Sequence, residues 1–172
     1  MPLPVSLQSV VDSLSWHSDE SSTYLHKPTG EIVTIDHSLL RRVEEGEVDV
    51  EPEADDEVAQ SEVTERDEID HAVGILRTDE YLAFPSEYEI DEWSMMDEFT
   101  RSVVDEPLRT TLEDAIRGRG AFRRFKDVLQ ANGRVEAWYQ FRDAAYQSMA
   151  REWLAQHHVA YVDDTRSPAV GT

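Results

Sequence analysis

Thr23-Tyr24-Leu25-His26-Lys27-Pro28-Thr29-Gly30-Glu31-Ile32-Val33-Thr34-Ile35 is the stretch on which the fold class turns. Its flanks are rich in β-branched and aromatic residues, and they enclose Pro28 and Gly30. Proline presets φ for a turn, and glycine tolerates the positive φ that a tight reversal needs. The stretch therefore predicts a β-hairpin. Ile32 and Thr34 alternate with Val33 and Ile35, so both faces carry apolar character. One face should pack on helices and the other should be partly covered. A sheet this small needs helical cover, and the rest of the chain supplies it. The fold class that follows is α+β: a small antiparallel sheet, the N-terminal hairpin plus one or two further strands, with a mainly helical C-terminal half.

Ahead of the hairpin, Leu7, Val10, Val11 and Leu14 fall at i, i+3, i+4, i+7 and predict a helix from about Pro4. Proline suits a first helical position because its missing N–H would have no partner there. After the hairpin, Leu39, Leu40 and Val43 predict a short helix over 38–45, closed by Gly46. Thr64-Glu65-Arg66-Asp67 has the form of a capping box and precedes Ile69, Ala72, Val73 and Leu76 at helical spacing. Tyr81-Leu82-Ala83-Phe84 reads as a strand ended by Pro85. Ser86-x-x-Glu89 offers a second capping box, ahead of Trp93, Met96, Phe99 and Val103. Pro107 opens a helix carrying Leu108, Leu112, Ala115 and Ile116, which Gly118 ends. Phe122, Phe125 and Leu129 predict a helix over 121–131 with both phenylalanines in the core. Val135, Trp138, Phe141, Ala145, Met149 and Trp153 form the longest apolar stripe, ended by His157-His158. Val159 to Val162 reads as a last strand.

The chain of 172 residues, 40% apolar and 31% charged, fits one domain over 1–163 with a flexible tail at 164–172. Its formal charge of −21 is unevenly placed. Residues 1–100 hold 5 basic against 27 acidic residues, and residues 101–172 hold 11 against 10. Between Glu44 and Asp70 there are 14 acids and one arginine. Within that run, 47–61 lacks periodicity and predicts a mobile acidic loop, because it has too little apolar surface to offset the entropy of ordering. The absence of cysteine excludes disulfides, thiolate zinc sites and thiol nucleophiles. No secretory signal is evident, and no apolar run nears the roughly 20 residues needed to cross a bilayer. A cytoplasmic protein without a membrane partner is the expectation.

Against this acidic background stands Arg117-Gly118-Arg119-Gly120-Ala121-Phe122-Arg123-Arg124-Phe125-Lys126-Asp127, between two helical stretches. Its five cations within ten residues are the densest basic feature of the chain. Several could pair with acids of the same chain. Arginine also forks onto carboxylate and phosphate, and the free N–H groups of the following helix suit an anion. Arg117, Arg119, Arg123, Arg124, Lys126 and Arg142 are therefore the candidates for contact with an anionic ligand or partner.

No catalytic, cofactor or metal constellation accompanies them. The six histidines form no His-x-x-x-His pair, His71 reads as a surface or boundary residue, and His26 could meet His37 across the hairpin. Gly118-x-Gly120 lacks the third glycine and the preceding strand of a dinucleotide fingerprint, and no Gly-x-Ser-x-Gly elbow occurs.

The string Gly118 to Asp127, with Trp138-Tyr139-x-Phe141-Arg142 and Ala150-Arg151-Glu152-Trp153-Leu154, resembles a family of uncharacterised bacterial proteins of the UPF type. The Tyr24 to Glu31 hairpin and the Tyr81 to Pro85 strand are similar to that family as well. The resemblance implies a bacterial, cytosolic, single-domain protein. It implies no activity, and it carries over no catalytic residue.

The first functional reading is a binding or regulatory module that uses the arginine-rich turn at 117–126 to contact a protein or an anionic ligand. A nucleic acid is a possible partner but is disfavoured by the acidic balance. The alternative is an enzyme for a small anionic substrate, with Arg119, Arg123 and Arg142 holding the anion and a nearby carboxylate as acid or base. A further alternative is mimicry of nucleic acid by the acidic half.

Overall fold

A computed structural model describes residues 3–48 and 60–165. In chain order the elements are β1 (Val5–Ser6), α1 (Leu7–Ser15), β2 (Ser21–His26), β3 (Glu31–Asp36), α2 (His37–Glu44), α3 (Gln60–Arg77), β4 (Tyr81–Ala83), α4 (Glu92–Ser102), α5 (Glu106–Ala115), α6 (Ala121–Ala131), α7 (Val135–Gln156) and β5 (Tyr161–Val162). The fold is α+β, with a three-stranded antiparallel sheet in the order β3-β2-β4 and a mainly helical C-terminal half.

The hairpin closes with Leu25 opposite Ile32 and Ser22 opposite Ile35. Alternation along β3 sorts its side chains between two apolar clusters. Ile32 packs with Leu25 and Leu82 against the main core, while Val33 and Ile35 face the other way onto Val43 of α2 and Ala72 of α3. Both faces of the sheet are thus covered, which is what three short strands need. The main core runs from Leu7, Val10, Val11 and Leu14 of α1 to Trp138, Tyr146, Ala150, Trp153 and Leu154 of α7, and α1 lies along α7.

Several boundaries differ from the sequence expectation. α1 starts at Leu7 and not at Pro4, because Ser6 caps it: the Ser6 hydroxyl accepts from Ser9 N–H at 3.0 Å. The residues just before it form β1, which runs parallel to β5, with Val5 opposite Tyr161. The last strand therefore forms a separate parallel pair and does not extend the antiparallel sheet. Asp164, expected in a loose tail, accepts from the Ser6 hydroxyl at 2.6 Å and from Gln8 N–H at 2.9 Å. A carboxylate at the N-terminus of α1 is favoured by the helix dipole. The rest of the expected tail, from residue 166, lies outside the described residues, as do residues 49–59 of the expected acidic loop. Gln60 and Ser61, also expected in that loop, belong to α3, so Thr64 lies inside the helix and does not start it. Glu89 does accept from Ser86 N–H and hydroxyl, but only a turn follows; the cap of α4 is Asp91, which accepts from Ser94 N–H at 3.0 Å.

Candidate functional site

The site grows out of how α5 ends. The last carbonyls of a helix have no intrahelical donor. Here the chain must also reverse within four residues, and Gly118 and Gly120 do so at φ of 76° and 74°, a region that glycine enters without steric cost. The carbonyls exposed by this reversal are taken by two side chains from neighbouring helices. Arg124 donates from Nε to Ala115 O at 3.1 Å and from its two terminal nitrogens to Arg119 O and Arg117 O. Trp93 donates its indole N–H to Ile116 O at 3.0 Å.

The six candidate cations therefore separate. Arg124 is spent on the main chain. Arg117 is exposed, 3.7 Å from Asp114. Arg142 pairs with Glu92 at 2.6 Å and lies over the ring of Tyr146, 4.7 Å from its centroid. Among the described residues, the side chains of Arg119, Arg123 and Lys126 make no ion pair. Of these three, Arg123 and Lys126 line a cleft of about 620 Å³ between α4, α6 and α7, and Arg119 does not. Arg142 lines it too, so the structure brings together Arg123, Lys126 and Arg142 and leaves Arg117, Arg119 and Arg124 outside.

The cleft has an aromatic floor and wall. Phe125 is buried and meets Trp138 edge to face at 4.9 Å, and Phe99 meets both rings from behind. Phe122 was expected in the core beside Phe125. It is instead 48% exposed and forms the lip of the cleft, opposite the half-exposed Tyr139. The two phenylalanines are three residues apart on a helix whose buried line passes through Ala121, Phe125 and Leu129. That i, i+4, i+8 line leaves Phe122 to one side of the core.

Glu92 sits at the inner edge of the cleft. Its Oε1 accepts from Arg142 at 2.6 Å and from the Tyr146 hydroxyl at 2.6 Å. Burial pushes the Glu92 carboxyl up, but the Tyr146 and Arg142 hydrogen bonds and the Arg142 charge outweigh it and hold the group below the ordinary carboxylate value. Burial, and then the bond to this carboxylate, push the Tyr146 hydroxyl well above the usual phenol value. Burial pulls Arg142 down, but Glu92 more than compensates and its guanidinium is held charged. The triad thus keeps one ionised acid, one neutral phenol and one cation at neutral pH. Neither Glu92 nor Tyr146 is poised to exchange a proton near neutrality, as general acid–base work requires. Glu92, Tyr146 and Tyr139 were not singled out in the sequence. Tyr139 lies in the string Trp138-Tyr139-x-Phe141-Arg142, but one glutamate among 37 acidic residues carries no signal.

The histidines assemble differently from expectation. His26 and His37 do not meet: His37 bonds Ser22 at 2.7 Å, and His26 stacks on Tyr81 with centroids 4.6 Å apart. The Tyr81 hydroxyl bonds His71 Nδ1 at 2.9 Å. Among the described residues no three of His, Asp and Glu gather to hold a metal ion, and no helix is long and apolar enough to cross a membrane.

A family model described as Uncharacterised protein family (UPF0158) matches residues 57–169. The match takes in α4 to α7 and hence the whole cleft, and it stops short of the hairpin to which the sequence resemblance extends. No curated protein and no solved structure matches the chain.

Proposed function

The chain belongs to this family, a membership that brings no chemistry with it, and we propose that it is a non-enzymatic binding module whose cleft between α4, α6 and α7 receives an anionic group carried on an aromatic or apolar body. The observation that carries this reading is the placing of Arg123 and Lys126. Among the described residues no acid pairs with either cation, and both line the cleft above a floor of Phe125 and Trp138. Asp127 on the same wall and the Glu92–Arg142 pair leave the lining with a net charge of +1, so the site attracts an anion locally while the whole chain repels it at long range. Salt screens that repulsion beyond roughly 8 Å at physiological ionic strength. Phe122 and Tyr139 at the lip add surface for a ring to stack on.

The enzyme reading ranks lower, since Glu92 and Tyr146 are both held away from titration near neutral pH. Acidic mimicry of nucleic acid rests largely on residues outside the described ones. We place the protein in a bacterial cytoplasm on the family resemblance.

The test is a fluorescence titration with 8-anilinonaphthalene-1-sulfonate, an anionic aromatic probe. Arg123→Glu/Lys126→Glu should weaken binding at least about tenfold, the loss of one or two charge-assisted contacts, with the thermal midpoint nearly unchanged. Equal affinity in the variant would overturn the reading.

A further inference from the structure

A second hollow, of about 480 Å³, opens ahead of α4 on the other side of Phe122 and Glu92, which line both. Its chemistry is the opposite of the first. Glu87, Asp91 and Glu92 are its charged residues, and among the described residues no lysine or arginine lines it. Its aromatic lining includes Tyr88, 89% exposed, and the half-exposed Trp93 and Phe122. Large exposed aromatic side chains gathered around one concavity mark a recognition surface more than a solvated face.

We propose that this hollow binds the cationic side chain, lysine or arginine, of a partner polypeptide. Carboxylates beside aromatic faces are what a desolvating cation needs: the ring faces attract it through their quadrupoles and the carboxylates accept its N–H groups. Acceptors remain available. Glu92 uses only Oε1 toward Arg142 and Tyr146, and among the described residues its Oε2 has no partner. Glu87 makes no side-chain ion pair among the described residues. His17 Nε2, on the same wall, is shielded from solvent and has no hydrogen-bond partner among the described residues. The start of α4 opposes a cation with about half a positive charge. The charge of Glu87 offsets that, and Asp91 already answers it by accepting from Ser94 N–H and hydroxyl. The chain's charge of −21 steers a basic partner toward the surface and so complements the hollow.

The test is an ¹⁵N-detected titration of the full chain with two peptides, acetyl-Gly-Lys-Gly-amide and acetyl-Gly-Glu-Gly-amide. The reporter is the Trp93 indole N–H, assigned by Trp93→Phe. The lysine peptide should move this signal saturably and the glutamate peptide should not. Glu87→Lys and Tyr88→Ala, both at exposed positions, should each weaken the lysine peptide several-fold. Arg123→Glu/Lys126→Glu should leave its affinity unchanged or tighter, which separates this site from the anion cleft. An unmoved Trp93 signal, equal shifts with both peptides, or a lysine affinity indifferent to Glu87→Lys and Tyr88→Ala would overturn the proposal.

Discussion

Arg124 of α6 donates from Nε to the carbonyl of Ala115, the last residue of α5, at 3.1 Å. The same guanidinium reaches Arg117 O and Arg119 O. The most basic string of the chain is thereby divided: one arginine holds the turn, and its neighbour Arg123 is left for the cleft.

Removing that guanidinium should cost stability. Arg124→Ala removes three hydrogen bonds to carbonyls at the end of α5 and at the turn, each worth roughly 0.5–1.5 kcal/mol, and we expect a loss of about 1–3 kcal/mol. Arg124→Lys should restore little, since an ammonium cannot fork across three acceptors. Arg123→Ala should change stability by less than about 0.5 kcal/mol. Urea midpoints of the three variants check this; equal losses at 123 and 124 would refute the division.

The Glu92–Arg142–Tyr146 contact predicts a pH dependence. Glu92 has a folded-state pKa below its ordinary value of 4.5, so the fold binds that proton less tightly than the unfolded chain does. The stability it contributes is fully present above about pH 4.5 and is lost as pH falls through the folded value. Glu92→Gln should therefore be clearly less stable than the wild type at pH 7 and approach it in acid. Tyr146→Phe, which removes one donor to the carboxylate, should behave likewise with a smaller gap at neutrality. Urea unfolding at a series of pH values measures both gaps; a gap that widens in acid would contradict the assignment.

Gly74 lies inside α3, where alanine is ordinarily worth about 1 kcal/mol more than glycine. A Cβ there would sit 2.6 Å from Tyr81 Cε2, and Tyr81 is held by its stack on His26 and its bond to His71. Gly74→Ala should thus destabilise by about 1–3 kcal/mol. In a Tyr81→Leu background the same change should cost less or become favourable. Thermal midpoints of the four proteins test the coupling.

The two phenylalanines of α6 should part company. Phe125 is 1% exposed and packs on Phe99 and Trp138, so Phe125→Ala should cost about 3–5 kcal/mol. Phe122→Ala should cost under about 1 kcal/mol and act on probe binding instead. Unfolding and titration of both variants decide this.

How much of this was legible in the sequence follows from the range of each signal. The hairpin announced itself through Pro28 and Gly30 between β-branched flanks, and α5, α6 and α7 through apolar spacing, because those signals are local. Phe122 and Phe125 could not be told apart, since both fit a helical stripe until the neighbours of α6 are known. The β1–β5 pair joins two-residue strands from opposite ends of the chain, too short to leave a pattern. Glu92 meets Arg142 and Tyr146 across separations of 50 and 54 residues, which no spacing rule reaches. Arg124 looked like any other cation of its string because its acceptors are main-chain carbonyls, which every residue carries.

The central claim is that an anion is held by the cleft pair and not by the turn. Titrations with 8-anilinonaphthalene-1-sulfonate decide between the two by comparing Arg123→Glu/Lys126→Glu with Arg117→Glu/Arg119→Glu. The cleft variant should lose affinity at least about tenfold, and the turn variant, whose side chains lie outside the cleft and are subject to screening, should change within about twofold. A loss confined to the turn variant, or the same loss in both, would contradict it.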